Sequence, residues 1–315
     1  MNRRCFSLKL SLLTDGLGND RDFVFDTAQK LGYETLEIAT GNWCGSPVID
    51  LDALLASRQK LEELQDALKK RNLGICALNC SGNQLNPMEK GRKHAAVVEK
   101  TFRLAEMLSV DKIVMMSGLP GGGPDDKYPN WIVASWPEET GEMLSYQWEV
   151  AISYWEKAVK LAQDCGIKKI ALENHANQLV YNTETLFKLR NAVGPVIGMN
   201  LDPSHMFWMG GDPILMLRAL RDAVYHIHAK DVRIERYISG VNGLLDTKTI
   251  DRNAERSWNF SAVGSGHDIV WWKEFITVAK FIGYTGELSV EIEDKSMDTV
   301  TALRKSTEVL KMAMI

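Results

Sequence analysis

Segments typical of β-strands alternate eight times with segments typical of α-helices along this chain. The strand-like segments are FSLKLSLL from Phe6, ETLEIAT from Glu34, GICALNCS from Gly74, KIVMMSG from Lys112, KKIALEN from Lys168, VIGMNLD from Val196, VYHIHAKD from Val224 and ELSVEIED from Glu287. Their apolar runs are typical of parallel strands that helices cover on both faces. With 315 residues, 45% of them hydrophobic, the chain can form one large core. The pattern predicts an α/β fold, a single (β/α)8 TIM barrel over residues 1–315, since such barrels need about 250 residues or more.

Two connections are too long to be simple turns. The first runs from Gly118 to about Tyr146, after the fourth strand, and the second from Val232 to about Asp268, after the seventh. Both are expected above the mouth of the barrel, where long ordered loops commonly serve as lids or binding loops. Their tryptophans are Trp131, Trp136 and Trp258. These rings either pack against a sugar or anchor the loops, and Trp136 is a candidate substrate contact.

Four polar residues stand where the last four apolar runs stop. They are Glu173 in IALENH, Asp202 in GMNLDPSH, His228 in YHIHAKD and Glu291 in LSVEIED. In a barrel these strand ends converge on one mouth. Three carboxylates and one imidazole suit Mn²⁺, Mg²⁺, Co²⁺ or Zn²⁺ better than a soft metal. Asp202 precedes a proline and a serine, so by itself it also fits a turn cap, but four residues in this order favour a metal site.

Other polar residues on the last two of these strands have separate interpretations. His226 shares a face with His228 but lies deeper, so it is interpreted as a hydrogen-bonded residue of the barrel interior. Glu293 shares a face with Glu291 and lies further out, where it would contact substrate or form an ion pair with Lys230. Glu291 is therefore preferred to Glu293 as the ligand.

Three further residues are candidates for contacts to substrate. His175 and Lys230 directly follow ligand-bearing strand ends, and Lys230 would polarise a carbonyl or form an ion pair with a carboxylate. His267 follows a glycine-rich turn near the end of the second long loop. The amides of Gly264 and Gly266 there either face an anionic or hydroxyl-rich ligand or form an ordinary turn.

Composition sets limits on the class of protein. A net charge of −4 and a pI near 5.9 lack the basic excess of a nucleic-acid or anionic-membrane binder. The five cysteines are scattered and odd in number, so they are expected to be reduced thiols of a cytoplasmic protein; they are Cys5, Cys44, Cys76, Cys80 and Cys165. The first twenty residues fit a strand better than a signal peptide, and no apolar run approaches the roughly 20 residues of a membrane helix.

The ordered set ALEN, LDPSH, HIHAKD and GYTGELSVEIED, with LEIATGNW and ALNCSGNQLNP before it, resembles the xylose isomerase-like barrel superfamily. That superfamily includes ketose 3-epimerases, hydroxypyruvate isomerase and inosose dehydratase. The resemblance implies that Glu173, Asp202, His228 and Glu291 bind one divalent cation, with Mn²⁺ preferred and Mg²⁺, Co²⁺ or Zn²⁺ as alternatives. It also implies that Glu173 and Glu291 are the catalytic acid and base, that His205 contacts the substrate, and that the chain forms a homo-oligomer.

The chemistry of such a site is proton abstraction next to a carbonyl of a sugar or keto-sugar. A divalent cation stabilises the developing enediolate, while one carboxylate takes the proton and a second returns it. Return of the proton to the opposite face gives an epimer, and return to the neighbouring carbon interconverts aldose and ketose. The expected activity is therefore that of a sugar isomerase or epimerase, and a neutral substrate is preferred because no cluster of Arg and Ser marks a phosphate pocket.

Three alternatives use the same fold. A lyase would lose a hydroxyl or alkoxyl group from the same intermediate, as a keto-sugar or inosose dehydratase or as a 3-keto-glycoside deglycosidase with a partner subunit. A nuclease with three zinc ions would need histidines at the second, third and fourth strand ends, which instead carry EIATGN, LNCSGN and MMSGLP. A barrel that only binds sugars would have no physical need for two carboxylates beside a metal.

Overall fold

The structure, a computed structural model that describes residues 8–315, is a closed barrel of eight parallel strands surrounded by helices. The strands are β1 (Lys9–Leu13), β2 (Thr35–Ala39), β3 (Gly74–Asn79), β4 (Lys112–Met115), β5 (Lys169–Glu173), β6 (Ile197–Leu201), β7 (Val224–Ala229), β8 (Asp231–Ile234), β9 (Trp258–Ser261) and β10 (Glu287–Val290). All except β8 and β9 belong to the barrel, which β10 closes by pairing with β1. The predicted (β/α)8 barrel is confirmed.

The start of the predicted first strand lies outside the described residues. That segment begins at Phe6, whereas the described part of the strand begins at Lys9. The structure describes no residue before 8, so the strand start expected at Phe6 and Ser7 and the reduced thiol expected at Cys5 lie outside it. From Ser11 onward β1 pairs in parallel with β2, and the pairs continue around the barrel in chain order.

Eleven α-helices flank these strands within residues 8–315. They are α1 (Arg21–Leu31), α2 (Leu51–Ala56), α3 (Arg58–Lys69), α4 (Glu89–Leu108), α5 (Thr140–Asp164), α6 (Thr183–Val193), α7 (Pro203–Trp208), α8 (Pro213–Leu220), α9 (Arg236–Asn242), α10 (Ile269–Phe281) and α11 (Thr299–Ala313). Local capping explains many of their ends. Asp20 caps α1 through the amide of Phe23, and Gly32 in the left-handed conformation ends it.

Two helix boundaries differ from the sequence pattern. The pattern DLDALLASRQKLEELQDALKKRN before β3 predicts one continuous helix. The structure has two helices there, because Ser57 is extended and its hydroxyl caps α3 at the amide of Lys60. Helix α5 begins at Thr140, so the first long connection ends before the expected Tyr146. The segment EVAISYWEKAVKLAQDCG predicts a helix that ends at Gly166, and this is confirmed, since α5 ends at Asp164 and Gly166 follows with a φ of 75°.

Helix α5 fixes the first long connection to the barrel. Trp155 is fully buried, and its indole N–H donates to the carbonyl of Ser117 at 3.0 Å. Within the connection, Trp131 packs edge-to-face on Tyr181 at 5.5 Å between ring centroids, so it serves as an anchor. Trp136 is 78% exposed.

The second long connection is an ordered subdomain and not an extended loop. Strands β8 and β9 form an antiparallel pair, with Asp231 opposite Ser261, and α9 lies between them in the chain. Trp258 on β9 stacks on Trp208 of α7 at 4.8 Å between ring centroids. Its indole N–H donates to the carbonyl of Leu244 at 3.0 Å. Trp258 therefore anchors this connection to the barrel.

Candidate active site

The four predicted metal ligands lie together at the carboxyl ends of the barrel strands. Glu173 ends β5, Asp202 directly follows β6, His228 lies near the end of β7, and Glu291 directly follows β10. Each offers one ligand atom, and these atoms all lie within 4.8 Å of one another. Because parallel strands bring their carboxyl ends to the same edge, regular barrel geometry is sufficient to form the cluster.

Asp202 caps a helix with one carboxylate oxygen and directs the other toward the cluster. Its Oδ1 accepts a hydrogen bond from the amide of Ser204 at 2.8 Å and so caps α7. Its Oδ2 lies 3.1 Å from Lys230 Nζ, and His228 Nδ1 lies 2.9 Å from Glu291 Oε2. Both contacts are ion pairs between largely buried groups, and neither has good hydrogen-bond geometry. Carboxylate oxygens and an imidazole nitrogen that face one another in one buried cluster are a donor set that fits a divalent cation.

The imidazole of His228 lies between carboxylates. Its Nδ1 is 2.9 Å from Glu291 Oε2 and 3.4 Å from Glu173 Oε2, and its Nε2 lies 3.1 Å from Glu37 Oε1. Burial lowers the pKa of His228, but the charges of Glu37 and Glu291 outweigh burial and hold the pKa well above its usual range. The ring therefore carries a positive charge in the metal-free protein.

The two glutamates of the cluster have strongly different acidities. Burial is the main reason that the pKa of Glu173 is raised to about 8, and Glu291 adds to the effect against the opposing charge of His228. Burial also acts on Glu291, but Lys230 and His228 outweigh it and lower the pKa to about 2. Two carboxyl groups whose pKa values are pushed apart are typical of an acid and base pair.

Lys230 is the buried cation of the site. Its ammonium group lies 2.8 Å from Glu291 Oε1, 3.0 Å from Glu293 Oε2 and 3.1 Å from Asp202 Oδ2. Burial lowers the pKa of Lys230, but these carboxylates outweigh burial and hold it well above its usual range. The ion pair with a glutamate that the sequence left open is therefore present, and it includes Glu293.

Two further histidines lie on the other side of Glu173. His205 Nε2 is 3.1 Å from Glu173 Oε1 and 3.4 Å from Asp202 Oδ2. The ring of His175 lies 4.2 Å from that of His205 between centroids. Burial lowers the pKa of both histidines, so they are neutral donors or acceptors beside the charged cluster.

A cavity of about 180 Å³ opens beside the cluster. Its acidic wall is formed by Asp15, Glu173, Glu291 and Glu293, and Lys230 is its one cationic side chain apart from the histidines, among residues 8–315. Burial is the main reason that the pKa of Asp15 is raised to about 7, and Glu291 and Glu293 add to the effect. At about 30 Å³ for each water of the liquid, the volume equals roughly six waters, which suits one small polyhydroxy compound.

Other predicted site residues line the cavity or lie apart from it. His175, Lys230 and Glu293 line it, and His205 is buried behind Glu173. Trp136 and His267 are not among its lining residues, so their predicted contacts to substrate stay predictions.

The glycine-rich turn that carries His267 binds a side chain of the protein itself. Asp231 Oδ2 accepts hydrogen bonds from the amides of Gly264, Gly266 and His267 at 3.0 to 3.1 Å. Asp231 Oδ1 lies 2.8 Å from Nδ1 of His267, whose ring stacks on Phe207 at 3.7 Å between centroids. These amides therefore form an ordinary structural turn, the second of the two possibilities that the sequence left open.

Sequence reasoning missed several residues of the site. Asp15 and Cys44 line the cavity from the loops after β1 and β2, and Asn79 lines it from the end of β3. The last four strands were searched for a polar residue at the point where the apolar run stops. The same search after the first three apolar runs would have found these polar residues. It would not have found Glu37, because Glu37 stands inside the apolar run TLEIA of β2.

His226 has the position that its spacing predicts. It is fully buried in the barrel interior, and its Nε2 lies 2.8 Å from Glu37 Oε2. Burial is the main reason that its pKa is lowered to about 4, so the ring is neutral and donates to Glu37.

Comparison with known proteins agrees with this geometry. Residues 25–313 match the sequence family described as xylose isomerase-like TIM barrel, and the chain belongs to this family. It is 56% identical over 308 residues to the uncharacterized protein YfiH of Bacillus subtilis (strain 168), and the match covers 96% of this chain and 98% of that protein.

Two further similarities are to proteins with named activities, one in sequence and one in fold alone. Inosose dehydratase 2 of Bacillus cereus is 25% identical over 148 residues, which is 47% of this chain and 47% of that protein. The crystal structure of 3-keto-D-glucoside 4-epimerase, YcjR, from E. coli superposes with a TM-score of 0.66 at 14% identity, covering 97% of this chain and 99% of that one. Among the described residues, no helix is long and apolar enough to cross a membrane.

Proposed function

We propose that this protein is a divalent-metal-dependent sugar isomerase or epimerase that abstracts a proton next to a carbonyl group. The observation that carries the proposal is the buried cluster of Glu173, Asp202, His228 and Glu291, whose ligand atoms all lie within 4.8 Å of one another. We expect one cation per chain, with Mn²⁺ preferred and Mg²⁺, Co²⁺ or Zn²⁺ as alternatives. When bound, the cation supplies charge stabilisation for the enediolate.

The residues of the chain supply the proton transfers. Glu173 and Glu291 stand on strands that β6 and β7 separate in the barrel, so they approach a bound substrate from different sides. One carboxylate takes the proton from carbon and the other returns it. Lys230 holds Glu291 in its charged form, the form in which a carboxylate can accept a proton, so we assign Glu291 as the first base. His175 and Glu293, which line the cavity, would then orient the hydroxyl groups of the substrate, and His205 would hold Glu173 through their contact at 3.1 Å.

The charge of the cavity supports an uncharged substrate. Four carboxyl groups line the cavity, and the ammonium group of Lys230 is already paired with Asp202, Glu291 and Glu293. No arginine is among the described residues that line it. A phosphate or carboxylate on the substrate would therefore face repulsion without a free bidentate partner. We propose a neutral keto-sugar, ketose or cyclitol of monosaccharide size.

The test is proton exchange into a panel of ketoses, 3-keto-glycosides and inososes. The protein loaded with Mg²⁺ is incubated with each compound in D₂O and followed by proton NMR, since Mg²⁺ is diamagnetic. The expected result is deuterium incorporation at one carbon of a neutral compound, lost when EDTA removes the metal. No exchange into any compound by protein shown to contain metal would contradict the proposal.

Two variants sharpen the assay. Glu291→Gln removes one of the proposed proton-transferring groups, so exchange should fall by roughly 10²-fold or more while the circular dichroism spectrum is kept. Glu287→Gln is the matched control, because Glu287 stands on the same strand at the opposite end of the barrel and pairs with Lys112. Full exchange in the Glu291 variant would refute the assigned role.

We propose elimination of water as a second candidate reaction at this site. Two observations favour it: the match to inosose dehydratase over about half of each chain, and the cavity-lining carboxyl of Asp15, whose pKa is raised to about 7. A glutamate would remove the proton next to the carbonyl, and Asp15 would protonate the departing β-hydroxyl, so that the elements of water leave and a conjugated carbonyl forms. Appearance of its ultraviolet absorbance distinguishes elimination from isomerisation, which produces none.

A further inference from the structure

Glu37 is a buried carboxylate that lies directly below the metal cluster. It stands in the middle of β2, is fully buried, and has Leu13 of β1 and Ala77 of β3 as its strand partners. Its side chain nevertheless reaches residues of β7 and β10, which shows that it points into the barrel interior. A charge in this position needs compensating partners, because burying an unpaired carboxylate is very costly.

Four side chains donate hydrogen bonds to Glu37. Asn79 Nδ2 lies 2.7 Å from Oε1, Ser289 Oγ lies 2.6 Å from Oε2, and His226 Nε2 lies 2.8 Å from Oε2. His228 Nε2 lies 3.1 Å from Oε1 and 3.2 Å from Oε2. The carboxylate is thus fully paired, and its orientation is fixed by three other strands of the barrel.

The hydrogen bond to Glu37 determines which nitrogen of His228 is free. A carboxylate with four donors around it can only accept, so Nε2 of His228 must carry a proton. In the neutral ring the lone pair is then on Nδ1, which is the nitrogen that faces the other ligands and lies 2.9 Å from Glu291 Oε2. We propose that Glu37 is a positioning residue that holds His228 in the tautomer and orientation whose Nδ1 binds the divalent cation.

Loss of Glu37 should weaken binding of the metal, although Glu37 is not one of the four ligands. A carboxylate that accepts the second N–H of a metal-binding imidazole fixes its orientation and raises its basicity, and loss of such a partner typically costs about 10–100-fold in metal affinity. Within residues 8–315, Glu37 does not line the cavity, and its side-chain hydrogen bonds join it to none of the other three ligands. Its effect must therefore pass through His228.

The test is the affinity for Zn²⁺ alone, measured by competition with a chelator, in the wild-type protein and in Glu37→Leu. Leucine is similar in size and accepts no hydrogen bond, so the expected result is about 10–100-fold weaker binding. Glu37→Gln keeps one oxygen acceptor and should recover part of the loss. Glu287→Leu is the control for loss of a largely buried glutamate elsewhere in the barrel, and it should bind Zn²⁺ as the wild type does.

Wild-type affinity in Glu37→Leu would overturn the proposal, as would an equal loss in the control. Because Glu37→Leu leaves several buried donors unpaired and can fail to fold, nitrogen-15 NMR of the Zn²⁺-loaded wild type gives a second measurement. A protonated Nε2 and a metal-bound Nδ1 on His228 support the proposal, and the reverse assignment overturns it. The inference rests on the metal site of the proposed function: absence of Zn²⁺ binding in the wild type would refute that site, whereas equal binding in both proteins refutes only the role of Glu37.

Discussion

Replacement of Lys230 by methionine tests the electrostatics of the site through stability. Lys230 is 2% exposed and contacts three carboxylates at 2.8 to 3.1 Å, of which Asp202 is fully buried. Removing one partner of a buried ion pair typically costs about 3–5 kcal/mol, because the remaining charge stays buried without compensation. Methionine keeps most of the side-chain volume, so the cost is mainly electrostatic. In EDTA the variant should lose about 3–5 kcal/mol of unfolding free energy.

A divalent cation should partly rescue this variant. The cation brings positive charge to the same carboxylates. In the wild type, Mg²⁺ at 100 times its Kd should raise the unfolding free energy by about 2.7 kcal/mol. Lys230→Met should gain more than this, because its carboxylates lack the ammonium group. Lys112→Met is the matched control. Lys112 forms a buried ion pair with Glu287 at 2.7 Å at the opposite end of the barrel, so this variant should be destabilised without any additional gain from metal.

The assay is urea unfolding followed by circular dichroism, with and without Mg²⁺. An unfolding midpoint for Lys230→Met equal to that of the wild type in EDTA would refute the buried cation as a stabilising partner of the carboxylates. An equal gain from Mg²⁺ in all three proteins would show that the cation binds away from these carboxylates.

Three further perturbations have definite expected outcomes. The charge that Glu37 and Glu291 maintain on His228 must be lost when its Nδ1 binds a cation, and Glu173, whose pKa is raised to about 8, must also lose its proton. Metal affinity should therefore rise with pH between about pH 6 and about pH 8, and calorimetry in two buffers should detect released protons; pH-independent affinity would contradict this. Asp15→Asn should abolish water elimination but keep deuterium exchange, and unchanged elimination by absorbance would exclude Asp15 as the acid. Gly266→Ala places a methyl group 2.1 Å from the carbonyl oxygen of Val232, so it should lower the unfolding free energy by about 1–3 kcal/mol. Urea unfolding measures this loss, and an unchanged midpoint would contradict the close contact.

The barrel and its four clustered side chains were predictable because both depend on local pattern. Glu173, Asp202 and Glu291 stand where an apolar run ends, and the parallel order of strands brings such ends together. His228 was distinguished from His226 by its position two residues further along the same face of the strand, nearer the mouth. In each case one segment of sequence identifies the residue, and the regular parallel barrel brings the four residues together.

The parts that were missed depend on contacts between distant segments. Asp231 organises the turn at Gly264, 33 residues later, and the pairing of β8 with β9 spans the intervening α9, so no local pattern indicates either. Glu37 stands inside an apolar strand, and its partners come from three other strands. Ser57 divides a periodic helical segment through a cap that competes with continued helix.

The most direct test of the central claim is a titration of the metal-stripped protein with Mn²⁺, followed by electron paramagnetic resonance of the free ion. One tightly bound Mn²⁺ per chain is expected in the wild type. His226→Ala should retain this binding, because His226 is a neighbour on the same strand that faces Glu37 and not the cluster, whereas His228→Ala should lose it. Absence of tight binding in the wild type, or binding that survives in His228→Ala, would contradict a catalytic metal at the mouth of this barrel.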